Sequence, residues 1–130
     1  MERTEDKKKY SIGEVGKITG IPTSTLRFYE KEGLLPQVQR DKNGIRSYSE
    51  EDLFWVEMIK CLRDTNMGIE DIKNIVSLSE MGEITELERK NIFLKHREKV
   101  LDEIKQLEKY IEKIDLKIKW YEDKETDCKK

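Results

Sequence analysis

The chain has 130 residues, enough for one domain or for one small domain with an extension. With 42% charged and 35% hydrophobic residues, the chain is too polar for a thick globular core. Its ten aromatic residues argue against disorder, so we expect long solvated helices. Residues 1–49 carry a net charge of +3 and the remainder −5, which is compatible with nucleic-acid contact by the front half. The sequence has neither an apolar run that spans a membrane nor a signal-peptide core, so we expect a cytoplasmic protein with reduced thiols and no membrane partner.

Two short helices are predicted near the start of the chain. The stretch SIGEVGKITG has apolar residues at helical spacing, begins with Ser11 and Glu14 at capping-box spacing, and ends at Gly20. The next stretch, IPTSTLRFYEKEG, begins with Thr23 as its candidate cap and stops at Gly33. Two short helices joined by a tight turn that contains glycine indicate a helix-turn-helix.

A small hairpin is predicted next, in LLPQVQRDKNGIRSYS. Pro36 ends the preceding helix, and the turn DKNG contains Asn43 and Gly44, which supply the positive φ that tight hairpins need. Apolar residues on either side suggest two short strands: Val38, Ile45 and Tyr48. A two-stranded hairpin that follows a helix-turn-helix is typical of a wing.

Two further helices follow the wing. SEEDLFWVEMIKCLRDTN starts with Ser49 as a cap and Asp52 three residues later, and it is apolar on most sides, so we expect a buried helix. After Gly68, the stretch IEDIKNIVSLSE has one apolar face and forms the second helix. Residues 10–80 are therefore predicted to be a winged helix-turn-helix domain with two linking helices.

The last segment, residues 85–124, lacks glycine and proline and is predicted to be one long helix. Seven apolar residues repeat at heptad spacing among charged neighbours: Val100, Ile104, Leu107, Ile111, Ile114, Ile118 and Tyr121. Such a seam indicates a coiled coil, and the alternative is an amphipathic helix folded back on its own domain. A helix of this length extends roughly 60 Å, more than the domain itself, so most of the seam needs a partner chain. The tails at residues 1–9 and 125–130 are predicted to be flexible.

No set of residues in the sequence indicates catalysis. The single histidine, His96, has no nucleophile in an evident relation to it, and no glycine-rich phosphate loop is present. Cys61 and Cys128 have neither disulfide-framework nor zinc-site spacing. We therefore predict that the chain is not an enzyme and holds no cofactor and no metal.

The second helix carries the candidate DNA contacts, because the second helix of a helix-turn-helix enters the major groove with its N-terminal residues towards the DNA. Thr23 and Ser24 are small and carry hydroxyls that bond phosphate. Arg27 offers a bidentate contact to phosphate or guanine, the alternative being a surface salt bridge with Glu30 or Glu32. The Tyr29 hydroxyl reaches a phosphate while its ring packs on the protein.

The order of these elements resembles the DNA-binding domain of the MerR family of bacterial transcription regulators. TSTLRFYEKEGLL, the wing RDKNGIRSYSEEDL and the following NMGIEDIK carry the resemblance, which runs from about Tyr10 to Ile75. It implies a mainly α winged helix-turn-helix with a two-stranded wing, joined to a long dimerisation helix that forms an antiparallel coiled coil. It also implies a homodimer that binds double-stranded promoter DNA and bends and untwists the promoter spacer for RNA polymerase.

The resemblance also assigns the DNA contacts. They would fall on Thr23, Ser24, Arg27 and Tyr29 in the second helix, and on Arg40, Arg46 and Tyr48 in the wing. The chain departs from the family at Phe28, where tyrosine is usual, and at Ile45, where an aromatic residue often precedes the wing arginine. The first departure removes one hydroxyl contact.

The resemblance also suggests which signal the protein senses, through the stretch around Cys61. In the family that the chain resembles, multidrug sensors add a large ligand domain, which we do not expect in 130 residues, and metal sensors have a cysteine at the start of the long helix, which this sequence lacks. Cys61 lies on one helix face with Phe54 and Met58, and this stretch resembles the small subgroup that responds to aldehydes and to nitrosative or thiol stress. Lys60 and Arg63 adjoin Cys61 in the sequence, and cations beside a thiol favour its reactivity. The alternative is an inert core cysteine in a regulator with another signal.

Two other functions remain open from the sequence. A coiled-coil interaction protein whose winged domain binds protein would lack salt-dependent binding to DNA. An excisionase could share the winged domain, although the long helix favours a two-fold operator.

Overall fold

The computed structural model describes residues 8–35 and 39–128, with side chains described as far as residue 126. The helices are α1 (Ile12–Thr19), α2 (Thr23–Lys31), α3 (Glu50–Asp64), α4 (Ile69–Glu80) and α5 (Glu86–Cys128), with a 3₁₀ turn at Gly82–Thr85 and two strands, β1 (Gln39–Arg40) and β2 (Arg46–Ser47). The predicted mainly α architecture, a helix-turn-helix with a two-stranded wing followed by a long helix, is confirmed. The chain divides into two compact units, Met1–Lys90 and Asn91–Lys130.

The start of α1 has the predicted capping box. The Glu14 N–H donates to Ser11 Oγ at 3.1 Å, and the Ser11 N–H donates to Glu14 Oε1 at 2.8 Å. Gly20 ends the helix with φ of 75°, a left-handed conformation that favours glycine. A side chain at Gly16 would also be crowded, since its Cβ would lie 3.1 Å from the Ile21 carbonyl oxygen. These two glycines allow the close turn between α1 and α2.

The start of α2 differs from the prediction. Thr23 is the first helical residue, and the N-cap position belongs to Pro22, which makes no side-chain cap hydrogen bond. A proline before the first turn is favourable because its fixed φ suits the entry to a helix. The hydroxyl of Thr23 is therefore not needed to cap the helix.

The wing is a short antiparallel hairpin in which Arg40 pairs with Arg46. Asp41 Oδ1 closes the turn by accepting the Asn43 and Ile45 N–H groups at 2.8 and 3.0 Å. Of the two residues expected to have positive φ, only Gly44 does, at 80°. Ile45 lies in the turn rather than in a strand, and Val38 lies outside the described residues.

The core of the first unit lies between α1, α2, α3, α4 and the wing. Seven of its side chains are almost fully buried: Val15, Leu26, Leu34, Tyr48, Val56, Ile59 and Ile72. The prediction that α3 is a buried helix is wrong in the single chain, because Phe54 is 64% exposed and Cys61 is also exposed. Since α3 packs against α1 and α4 along one stripe, its opposite face is left uncovered.

Replacing Trp55 by phenylalanine is expected to destabilise the first unit. The indole Nε1–H donates to the Leu34 carbonyl at 2.7 Å, which joins α3 to the segment after α2. Loss of this donor leaves a buried acceptor unpaired, at a cost of about 1–3 kcal/mol in the free energy of unfolding. Urea unfolding would measure the loss. Trp120→Phe is the matched control, since Trp120 is about half exposed. Equal stability of Trp55→Phe and the native protein would contradict the prediction.

The long helix α5 has 43 residues, about 65 Å at the usual rise of a helix. It begins after the 3₁₀ turn and continues past Lys124 to Cys128, so residues 125–128 of the predicted flexible tail are helical. The sequence of this segment has no glycine or proline that would stop the helix earlier. None of the helices among the described residues is both long and apolar enough to cross a membrane.

Candidate nucleic-acid interface

Helix α2 has one buried side and one exposed side. Leu26 is fully buried and Tyr29 is 7% exposed, whereas Ser24 and Arg27 are exposed and Thr23 is half-buried. This separation follows from the three-residue spacing of the buried pair, which places both side chains on one helical face. The opposite face therefore presents a hydroxyl and a guanidinium on the first two turns, where a recognition helix contacts DNA.

Arg27 is not held by the carboxylates that the sequence offers as partners. Glu30 instead contacts the arginines of the wing, and Glu32 lies 3.6 Å from Lys73 Nζ. Within residues 8–35 and 39–126, no ion pair to Arg27 is present. The predicted contact of Arg27 with DNA stays a prediction, and the proposed alternative of a surface salt bridge is not observed.

Tyr29 is buried, and the charged residues that act on its hydroxyl lie at the C-terminal end of α3. Burial raises the pKa of its hydroxyl, Asp64 raises it further, and Lys60 and Arg63 act in the opposite direction. The side chain of Phe28, beside it in sequence, is 44% exposed and is therefore only partly in the core. Phosphate contact by the Tyr29 hydroxyl stays a prediction.

The two wing arginines converge on one carboxylate of α2. Glu30 accepts a hydrogen bond from Arg46 Nε, and Arg40 Nη2 lies 3.7 Å from Glu30 Oε2. Arg40 Nη1 also donates to the Gly44 carbonyl at 2.9 Å, which ties it to the hairpin turn. The contact with Glu30 raises the pKa of Arg46. The role of Glu30 was missed from the sequence, because it depends on how the wing folds back on α2.

Tyr48 does not lie where a surface contact requires it. The side chain is fully buried, and its hydroxyl has no hydrogen-bond partner among the described residues. Its backbone is fixed by two hydrogen bonds to Tyr10, each of 2.8 Å. Burial raises the pKa of the hydroxyl. In the single chain Tyr48 is a core residue beside the wing, and an isolated β-bridge joins it to Tyr10. The contact with DNA predicted at Tyr48 stays a prediction.

Cys61 lies on the exposed face of α3. Phe54 on the same face is 64% exposed, and Met58 is half-buried. In the single chain Cys61 is therefore not a core residue, which was the alternative considered from the sequence. The neighbouring cations have other partners: Lys60 Nζ lies 2.7 Å from Asp64 Oδ2, and Arg63 Nη1 donates to the Met67 carbonyl at 2.9 Å. Among the described residues, no group of three or more His, Cys, Asp or Glu side chains could hold a metal ion.

The predicted seam of α5 is exposed in the single chain. Val100 is half-buried, and the other members are between 46% and 59% exposed: Ile104, Leu107, Ile111, Ile114, Ile118 and Tyr121. A continuous apolar strip of this kind marks an interaction surface. Near its end, the rings of Trp120 and Tyr121 meet edge to face at 4.8 Å, and Lys117 Nζ lies 4.3 Å from the Trp120 ring centre.

The helix-turn-helix, the two-stranded wing and the two helices after it define a winged helix-turn-helix DNA-binding domain. The chain belongs to the MerR family: residues 10–79 match the family described as MerR HTH family regulatory protein. It is a DNA-binding transcription regulator and not an enzyme. The resemblance seen in the sequence is thereby confirmed.

Individual relatives agree with this assignment. An uncharacterized HTH-type transcriptional regulator of Haemophilus influenzae is 35% identical over 113 residues, which cover 87% of this chain and 84% of that protein. The Bacillus subtilis HTH-type transcriptional regulator AdhR is 40% identical over 92 residues, or 71% of this chain and 66% of that protein. The structure is also similar to the crystal structure of HiNmlR, a MerR family regulator lacking the sensor domain, bound to promoter DNA. The TM-score is 0.82 and the sequence identity is 34%, and the match covers 89% of this chain and 92% of that chain.

Proposed function

We propose that the chain forms a homodimer through the α5 seam and binds a two-fold operator in promoter DNA. The observation that carries this proposal is the exposure of the seam, in which six of seven members are between 46% and 59% exposed in the single chain. Heptad-spaced apolar side chains are buried when a second helix packs against them. A second copy of the same chain provides a matching seam and closes the assembly by two-fold symmetry.

The free protein offers a direct test of the dimer. Sedimentation equilibrium should give the mass of two chains of 15.5 kDa each. A single-chain mass at micromolar concentration would contradict the dimer and favour a helix that folds back on its own domain.

DNA recognition follows from the two copies of α2. Ser24 and Arg27 on the exposed face of each α2 would enter the major groove, and Arg40 and Arg46 of each wing would contact flanking phosphates. Because a homodimer presents two identical recognition helices, its operator should be an inverted repeat. Binding through arginine and phosphate should weaken steeply as salt concentration rises.

The dimer would act on transcription by distorting the DNA between its half-sites. Two recognition helices held at a fixed separation favour DNA whose half-sites match that separation, so an unmatched spacer must bend or untwist. Such a deformation costs on the order of 1–6 kcal/mol, which the protein–DNA contacts can offset. A changed spacer alters how RNA polymerase meets the two promoter elements. This places the site of action in the bacterial cytoplasm, where promoter DNA and polymerase are found.

A thiol-reactive signal at Cys61 is supported by its exposure on α3 and by the resemblance to the aldehyde-responsive subgroup. An aldehyde would add to the Cys61 thiolate with formation of a carbon–sulfur bond, and the former carbonyl oxygen would take a proton from water. The adduct enlarges the face that carries Phe54 and Met58. Because α3 follows the wing directly, a change at this face could alter the position of the wing on DNA.

Cys61→Ser is expected to keep operator binding and to lose the response to aldehyde. The serine hydroxyl is a far weaker nucleophile than a thiolate, so no stable adduct forms. Transcription in vitro from the cognate promoter, with and without formaldehyde, measures the response. Cys128→Ser is the matched control and should respond like the native chain. Full induction of Cys61→Ser by formaldehyde would exclude Cys61 as the sensor.

A further inference from the structure

The carboxylate of Glu30 on α2 lies between two arginines of the wing. Glu30 Oε1 accepts a hydrogen bond from Arg46 Nε, and Glu30 Oε2 lies 3.7 Å from Arg40 Nη2. Arg40 and Arg46 are paired across the two strands of the hairpin. Each carboxylate oxygen therefore faces the arginine of a different strand, and one side chain of α2 holds both strands of the wing.

Both arginines keep N–H groups that a phosphate could use. An arginine has five N–H donors, and among the described residues Arg46 donates only from Nε, to Glu30. Arg40 donates from Nη1 to the Gly44 carbonyl at 2.9 Å, and its side chain is 47% exposed. In residues 8–35 and 39–126, neither arginine has an ion pair with any other carboxylate. Contact with Glu30 and contact with a phosphate are therefore compatible.

Glu30 changes what the two arginines can do in two ways. Its negative charge offsets one of their two positive charges, so a phosphate that approaches the wing is also repelled by the carboxylate. Its contacts also fix the two guanidinium groups, whose long side chains would otherwise adopt many rotamers. Fixed guanidinium groups suit phosphates in one arrangement, whereas mobile ones adapt to phosphates in any arrangement. A fixed and partly neutralised pair therefore disfavours DNA on which the wing is not correctly seated.

We propose that Glu30 is a specificity-determining residue: by fixing and partly neutralising Arg40 and Arg46, it lowers the affinity of the wing for DNA of random sequence. The inference rests on the proposed contact of the wing arginines with phosphates. Non-specific binding comes almost entirely from phosphate contacts, whereas operator binding also uses base contacts of α2. The restraint on the wing therefore weakens non-specific binding more than operator binding, and the ratio of the two affinities increases.

Glu30→Gln separates the charge of this side chain from its shape. The amide oxygen still accepts from Arg46, but the negative charge and the ionic hold on both arginines are lost. Fluorescence anisotropy with a duplex of scrambled sequence should show about 3- to 10-fold tighter binding at constant salt, the size expected when one repulsive charge within a Debye length of the phosphates is removed. Affinity for a duplex selected from a randomised library should rise less, so the ratio of the two affinities falls. A residue with a merely structural role would instead weaken binding to both duplexes.

Glu32→Gln is the matched control. It removes the same charge from the residue that follows α2, but Glu32 lies 3.6 Å from Lys73 Nζ rather than beside the wing arginines. The affinity of this variant for the scrambled duplex should stay close to native. Melting curves establish that each variant is folded before binding is measured. Equal gains in the two variants would overturn the proposal, since net charge alone would then explain them.

The effect of Glu30 must also depend on the arginines. In a variant that carries both Arg40→Met and Arg46→Met, the scrambled duplex should bind more weakly than to the native chain, and Glu30→Gln should add no gain. A gain of the same size in that background would overturn the inference while leaving the wing contact intact. Native affinity of the double variant for both duplexes, or failure of the native chain to bind any duplex, would overturn the proposed wing contact and this inference with it.

Discussion

Replacement of Ile111 by lysine is expected to convert the proposed dimer into monomers and to abolish operator binding. Ile111 lies in the middle of the seam and is 54% exposed in the single chain. Two-fold symmetry places two such lysines in every dimer, each of which would bury an ammonium group in an apolar interface. The substitution also removes the burial of an isoleucine from each copy, worth about 1.5–3 kcal/mol per side chain. A monomer has one recognition helix and loses the second half-site.

Sedimentation velocity and operator titration would measure both effects on the same sample. Leu116→Lys is the matched control, because Leu116 is on the same helix and is 68% exposed, yet lies off the seam. That variant should remain a dimer with native affinity. A dimeric Ile111→Lys variant with native affinity would show that the seam is not the contact between the two chains.

Arg27→Ala is expected to lower operator affinity by about 1–3 kcal/mol, or roughly 5- to 150-fold. Arg27 is exposed on α2, and among the described residues it has no ion pair that DNA would need to displace. Lys105→Ala on α5 removes a charge of the same sign from an exposed site away from the recognition helix. It should leave operator affinity close to native.

The pattern of the loss identifies the group that Arg27 contacts. A base contact predicts weaker operator binding, unchanged binding to random duplex and relaxed sequence preference. A phosphate contact predicts a uniform loss and a salt slope smaller by about one. If Arg27→Ala bound operator and random duplex like the native chain, the exposed face of α2 would not be the recognition surface.

Sequence patterns predicted the elements whose stability is local. The capping boxes of α1 and α3 were predicted at Ser11 and Ser49 because each depends on residues three positions apart. The turn glycines were predicted for the same reason, since a left-handed φ is a property of one residue. The long helix was predicted from the heptad spacing of its seam. Its end was predicted at Lys124 but lies at Cys128, because no helix-breaking residue in the sequence marks the end.

The candidate site could be predicted only where exposure follows from one helix. The arrangement of α2, with Leu26 inside and Arg27 outside, follows from helical spacing alone. The burial of Tyr48 and the hold of Glu30 on the wing arginines depend on how a hairpin folds back on a helix many residues away. Exposure of Cys61 likewise depends on which side of α3 its neighbours cover. An apolar stretch such as that of α3 does not reveal whether its second face is covered by its own chain, by a partner or by water.

Selection of duplexes from a randomised library, followed by the mass of the selected complex, tests most directly whether two copies of this chain read a two-fold operator. A homodimer with paired recognition helices predicts inverted repeats, each bound by two chains. Dyes at the two ends of the selected duplex should also approach one another on binding if the spacer bends. Selected sequences without two-fold symmetry that bind a single chain would contradict the proposed dimer and its mode of action.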